Sequence, residues 1–279
     1  MADEEVPLAG GDWTPGVVRI GDTVRRPARP FTATVQAYLA HLHSAGFTGA
    51  PVPLGFDDQG REMLSYVPGD VPLKPLPPEA AGDDVLAALA RLIRQLHDAA
   101  RGWVPPPDAV WMPVTRPGGP APVDGDPELV GHRDYCVGNV VFRQGLPAAF
   151  IDFDLARPTS RLYELANALF WWGPLQDPAD RDPALVHADV LHRAAVFADA
   201  YGMPDGLRRE LVPTAQRMAH RFHVNTRWAA ERDPVFFRDV WETSEKYVWL
   251  RMEAWLEDEG QAITARLLSP SSPLGPAAG

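Results

Sequence analysis

A chain of 279 residues is long enough to bury a sizeable core, and its net charge of −11 repels nucleic-acid phosphates, so no polynucleotide partner is expected. The single cysteine excludes an internal disulfide and suits a reducing cytoplasm. No apolar run approaches the ~20 residues that span a bilayer. The acidic start Met1-Ala2-Asp3-Glu4-Glu5 lacks the order of a signal peptide, so a cytoplasmic protein without membrane partners is expected.

In chain order, Val17 to Ile20 and Thr23 to Arg26 read as a hairpin turned by Gly21-Asp22. Phe31 to Ala45 carries Val35, Tyr38, Leu39 and Leu42 at helical spacing, and Gly46 stops it. Pro53 to Phe56 and Glu62 to Val67 read as strands around Asp57-Asp58-Gln59-Gly60. Pro68-Gly69 closes this β-rich part, and the proline-rich 71–78 links it onward. A helix is expected from a cap at Asp84 to about Ala100, with Leu86, Leu89, Ile93 and Leu96 on one face. Residues 102–128 are rich in Pro and Gly and read as a long loop. Helices are expected near 161–172, 185–201, 206–232 (with a break at Pro213) and 234–259. The division is 1–69, 70–268 and a Pro/Gly/Ser/Ala tail at 269–279, read as disordered. The whole is an α+β fold of two lobes, with the active site in the cleft between them.

The chemistry concentrates in Gly131 to Phe153. Asp134 is followed five positions later by Asn139, and Asp152 lies thirteen beyond that. Between them, Val140-Val141-Phe142 and Ala149-Phe150-Ile151 read as strands joined by a turn at 143–147. A hairpin brings its two feet together, so Asn139 and Asp152 are expected to hold one divalent ion, with Asp134 a loop's width away. Phosphoryl transfer asks little more of a protein than metal-held phosphates and a group that orients the attacking hydroxyl.

The pattern His132-x-Asp134-x4-Asn139, then Ile151-Asp152-Phe153-Asp154, resembles the core of protein kinases and of the aminoglycoside phosphotransferase/choline kinase-like enzymes. The second group is favoured: a Gly-rich loop, a Val-Ala-Ile-Lys string and an Ala-Pro-Glu string are all missing from the sequence. The resemblance implies a protein-kinase-like fold, with Asp134 as catalytic base and Asn139 and Asp152 as ligands of magnesium. It also implies ATP or GTP as co-substrate and puts Glu164, before Leu165-Ala166, at the start of the next helix. His132 is read as a residue that fixes the loop, and Cys136 as packing rather than a nucleophile.

By the same resemblance, Ser65, Tyr66 and Val67 offer backbone groups to the nucleotide base. A basic residue on the third strand meets the phosphates; Arg25 is favoured over Arg26, because strand alternation admits only one of them to the cleft. Two departures stand out. No acidic residue lies between Phe31 and Gly46 to pair with that base, and Gln36 offers only a neutral hydrogen bond. Gly10-Gly11 is the nearest approach to a phosphate-covering loop. The acceptor is expected to be a small cationic molecule bearing a hydroxyl. Carboxylates at Asp177, Glu231, Asp233, Glu242, Glu245, Glu253 and 257–259 would suit an aminoglycoside; aromatic walls from Trp171, Trp172, Trp241, Trp249 and Trp255 would suit choline. The rival outside catalysis is a pseudokinase-like binding module. Zinc at His187/His192 or His220/His223 is disfavoured for want of further ligands.

Overall fold

The computed structural model describes residues 4–8, 16–113, 126–232 and 246–269. The expectations for Gly10-Gly11, for Asp233, Trp241, Glu242 and Glu245, and for residues 270–279 lie outside the described residues.

The N-terminal part is a five-stranded antiparallel sheet in the order β1-β2-β3-β5-β4, formed by β1 (Val6–Pro7), β2 (Val18–Ile20), β3 (Thr23–Arg26), β4 (Pro53–Phe56) and β5 (Glu62–Ser65). Gly21 closes the β2–β3 hairpin at φ +57°, a conformation that glycine adopts without penalty. Helix α1 (Thr32–Ser44) buries Val35, Tyr38, Leu39 and Leu42 on one face, as their spacing requires. Gly46, at φ +88°, follows its end.

The chain leaves the sheet through Gly69. A Cβ there would collide with the Phe142 carbonyl and the Val141 side chain, so only glycine passes. Asp70 then exchanges two backbone hydrogen bonds with Phe142, of 3.0 and 2.7 Å, fastening the crossing strap to the second part.

That second part is mostly helical: α2 (Asp83–Ala99), α3 (Arg161–Trp172), α4 (Val190–Tyr201), α5 (Asp205–Arg232) and α6 (Lys246–Leu268). Two small ladders sit among the helices. One pairs β6 (Leu129–Gly131) with β9 (Arg157–Thr159), and the other is the hairpin β7 (Val140–Arg143) and β8 (Leu146–Phe150). The hairpin turn is shorter than expected. Gln144 and Gly145 alone make it, both at positive φ (53° and 78°), the twist that suits a two-residue hairpin loop.

Four other expectations change. Helix α2 starts two residues earlier, capped at Gly82 without a side-chain bond. Helix α4 starts at Val190 rather than 185, where the Asp189 side chain caps it by accepting from the His192 amide. Helix α5 runs through Pro213 unbroken, because Leu211, Val212 and Ala215 around it are fully packed and outweigh one lost N–H bond. Helix α6 is described from Lys246 and continues to Leu268, past the expected end at 259, as Ile263 and Leu267 are buried. One hydrophobic core spans both parts; the Tyr38 hydroxyl of α1 donates to the Val130 carbonyl of β6 at 2.6 Å. Among the described residues no helix is long and apolar enough to cross a membrane.

Candidate active site

The loop between β6 and β7 carries Asp134. Helix α3 holds it from below with residues of one face. Glu164, wholly buried, accepts from the His132 amide at 2.8 Å and from the Tyr135 hydroxyl at 2.6 Å. Asn167 accepts from the Tyr135 amide at 3.0 Å, and the Trp172 indole donates to the Tyr135 carbonyl at 2.7 Å. Gly131 leaves room for this clamp, since a Cβ there would fall inside the Glu164 carboxylate.

His132 has both ring nitrogens engaged: Nε2 with the Ile151 carbonyl at 2.9 Å, Nδ1 accepting from the Asp134 amide at 3.3 Å. With both nitrogens engaged, His132 ties the loop to the hairpin and has none left for chemistry. Arg133 (φ 69°) and Asp152 (φ 61°) both sit in the left-handed region, where side-chain-bearing residues are strained, and both flank the cleft.

Asp134, Asn139 and Asp152 converge. The Asn139 side chain donates to Asp134 Oδ2 at 2.8 Å, and the Ile151 amide donates to the Asn139 carbonyl at 3.0 Å. Asp152 follows directly and lies within charge range of Asp134. Burial pushes the Asp134 carboxyl above its ordinary value, and the Asp152 charge adds to this, while His132 and the Cys136 amide oppose it. Burial, with Asp134 beside it, pushes the Cys136 thiol up to about 12, so it stays protonated and is no nucleophile.

The sheet supplies Arg26, not Arg25. Arg25 lies on the opposite face, 3.6 Å from Asp57. Alternation admits only one of the two, and pairing with β5 sets the parity by placing Arg26 opposite the buried Glu62. The Arg26 guanidinium is ion-paired to Glu62, to Asp152 at 3.2 Å and to Asp154 at 2.6 Å. Burial alone would lower its pKa, but Asp154, Glu62 and Asp152 outweigh it and hold the group above its ordinary value. Sequence reasoning missed Glu62 and Asp154 as parts of the site. The only signal for Glu62 was a carboxylate opening an otherwise apolar strand.

In the segment after β5, the Ser65 amide donates to the Val52 carbonyl at 2.9 Å and the Tyr66 amide to the Asp22 carbonyl at 2.8 Å, so those two amides are taken. The Val67 amide takes no partner among the described residues.

The donors suit a divalent cation. Three carboxylates, those of Glu62, Asp152 and Asp154, face one guanidinium, and Asp134 lies within charge range of Asp152, leaving an excess of negative charge. Asp154 Oδ1 is buried without a well-directed hydrogen bond, and burial pushes its carboxyl up to about 6 against the pull of Arg26. Among the described residues no three His, Cys, Asp or Glu form a ready cage. Magnesium fits such a site, because it takes one or two protein ligands and completes its shell with phosphates and water. His192 is paired with Asp83 at 2.6 Å and His220 with Glu253 at 3.1 Å, which leaves the zinc reading without support.

Of the residues weighed for an acceptor, Trp249 is core, stacked between Phe222 and Phe170, and Trp172 is buried. Trp171 carries the Lys74 ammonium 4.4 Å from its ring centre, and Trp255 faces Arg181. Asp177 caps a short 3-10 turn, and Glu231 pairs with Arg227.

A β-rich lobe, a helical lobe and a loop-hairpin-loop of polar residues between them define the protein-kinase-like fold. Comparison with known proteins agrees. A family model described as a phosphotransferase enzyme family matches residues 110–197. The trifolitoxin immunity protein of Rhizobium leguminosarum bv. trifolii is 31% identical over 205 residues, 72% of this chain and 75% of that protein. Among solved structures, a choline/ethanolamine kinase family protein from Mesorhizobium loti aligns with a TM-score of 0.61 at 17% identity, over 95% of this chain and 93% of that one. An amicoumacin kinase in complex with AMP-PNP and Ca2+ gives 0.59 at 12% identity, over 92% and 88%. A gentamicin complex of an aminoglycoside phosphotransferase gives 0.56 at 10%, over 90% and 93%. The chain belongs to the aminoglycoside phosphotransferase family of phosphotransferase enzymes.

Proposed function

We propose that this protein transfers the γ-phosphoryl group of ATP or GTP to a hydroxyl of a small cationic molecule in the cytoplasm. The observation that carries the reading is the convergence of Asp134, Asn139 and Asp152 beside Arg26. Residues 1–69 would form the nucleotide-binding lobe and 70–268 the catalytic and acceptor-binding lobe. Val67 would offer its amide to the base, and Arg26 would steady the phosphates. Asn139 and Asp152 would hold magnesium, which would offset charge on the transferring group. Asp134, its carboxyl raised by burial, would accept the acceptor's hydroxyl proton as the oxygen attacks. Asn139 fixes the orientation of that carboxylate through its 2.8 Å hydrogen bond.

The cationic acceptor rests on the net charge of −11 and on relatives named for aminoglycosides and for choline or ethanolamine. A more specific reading of the same chemistry comes from the 31% identical immunity protein: the acceptor would be a toxic compound that phosphorylation disarms. The rival of a binding module without catalysis finds no support in the site, where Asp134, Asn139 and Asp152 are all present and brought together.

The test is Asp134→Asn in purified protein, followed by ADP release over a panel of aminoglycosides, choline and ethanolamine. Loss of about 10²–10⁴ in turnover, with nucleotide binding kept, is expected for removal of a general base. Unchanged turnover would reject Asp134 as the base, and binding without release for any acceptor would favour the module.

A further inference from the structure

The departure noted in the sequence, a helix with no carboxylate to pair with the strand's basic residue, has a structural answer. Glu62 on β5 stands directly across from Arg26 on β3. Its side chain is wholly buried, and each oxygen has its own partner: Oε2 takes Arg26 Nε, and Oε1 takes the Gln36 amide of α1 at 3.3 Å. Gln36 is itself locked to Gly55, donating to its carbonyl at 2.9 Å and accepting from its amide at 3.1 Å. Helix, strand carboxylate and strand guanidinium thus form one chain of contacts, with the carboxylate on the strand and the neutral amide on the helix.

We propose that Glu62, steadied by Gln36, is the positioning residue that aims Arg26 at the phosphates of a nucleoside triphosphate; this rests on the nucleotide-dependent reading given above. The guanidinium is planar, so a partner on Nε fixes the direction of both remaining nitrogens. Nη2 is taken by Asp154, and Nη1 points to Asp152, whose side chain is 49% exposed. Nη1 is therefore the nitrogen on the open side of the cleft, where a phosphate oxygen arrives. Stability alone does not account for the pair. A buried ion pair costs desolvation that apolar residues of like size avoid, so a charged pair across an apolar sheet is weak evidence for a purely structural role.

Nucleotide affinity is measured by equilibrium binding of AMP-PNP with magnesium, which needs no acceptor and no turnover, alongside thermal midpoints. Glu62→Gln is expected to weaken binding at least about tenfold, the cost of losing a charge-assisted bond. Gln36→Glu places a second carboxylate beside Glu62 and is expected to lower the thermal midpoint. Glu62→Asp, which keeps the charge one methylene back, should bind with intermediate affinity and covers the case in which Glu62→Gln fails to fold. Parent-like affinity in Glu62→Gln, or an affinity in Glu62→Asp no better than in Glu62→Gln, overturns the proposal. A parent protein that binds no nucleotide overturns the underlying functional reading instead.

Discussion

Arg25 and Arg26 are neighbours of identical chemistry with opposite fates. One lies beside Asp57 on the outer face of the sheet, and the other meets three carboxylates in the cleft. Arg26→Ala should weaken nucleotide binding by about 2 kcal/mol or more, roughly thirtyfold, because a charge-assisted contact is lost and buried carboxylates are left facing one another. Arg25→Ala should leave the affinity within about twofold, since that side chain lies on the opposite face of the sheet, paired with Asp57. Parallel titrations of the two variants decide it, and equal losses would contradict the assignment. This is also where the sequence was least legible. Asp134, Asn139 and Asp152 lie within nineteen residues, so local hairpin geometry brings them together. The partner of Arg26 sits 36 positions away, and its identity depends on strand register, which periodicity does not reveal.

Among the elements, α3 has the most consequence for the site. Glu164, Asn167 and Trp172 reach the loop from one helix face and hold it by its backbone and by Tyr135. The helix bounds were legible, because Ser160 caps the start by accepting from the Tyr163 amide and Gly173 follows the end. The clamp itself was not, since nothing in a helical pattern says which loop its polar residues will meet. The ladders of β1 and of β6 with β9 escaped notice too, being two or three residues long, below the length at which alternation is readable. Gly131→Ala tests the clamp. The added methyl must displace the Glu164 carboxylate, costing about 1–3 kcal/mol of stability as overpacking does, and turnover should fall with nucleotide affinity kept. A variant as stable and active as the parent would show that the loop is held otherwise.

At the scale of the molecule, a negative chain concentrates further negative charge in its cleft, where three carboxylates surround one guanidinium and Asp134 adds a fourth acid beside Asp152. Such a site is poised for a nucleotide only together with a cation, because triphosphate alone would be repelled. The strap at Gly69 and Asp70 pins the crossing between lobes to β7, one strand of the hairpin that ends in Asp152. Sheet-borne and helix-borne parts of the site are thereby held against one frame. The central claim, that loop and hairpin feet form one metal-nucleotide site, is tested most directly by calorimetric titration of AMP-PNP with and without magnesium. The titration compares the parent protein with Asn139→Ala and Asp152→Asn. Strong magnesium dependence in the parent and its near loss in both variants is the predicted result; equal magnesium dependence in all three would contradict the account.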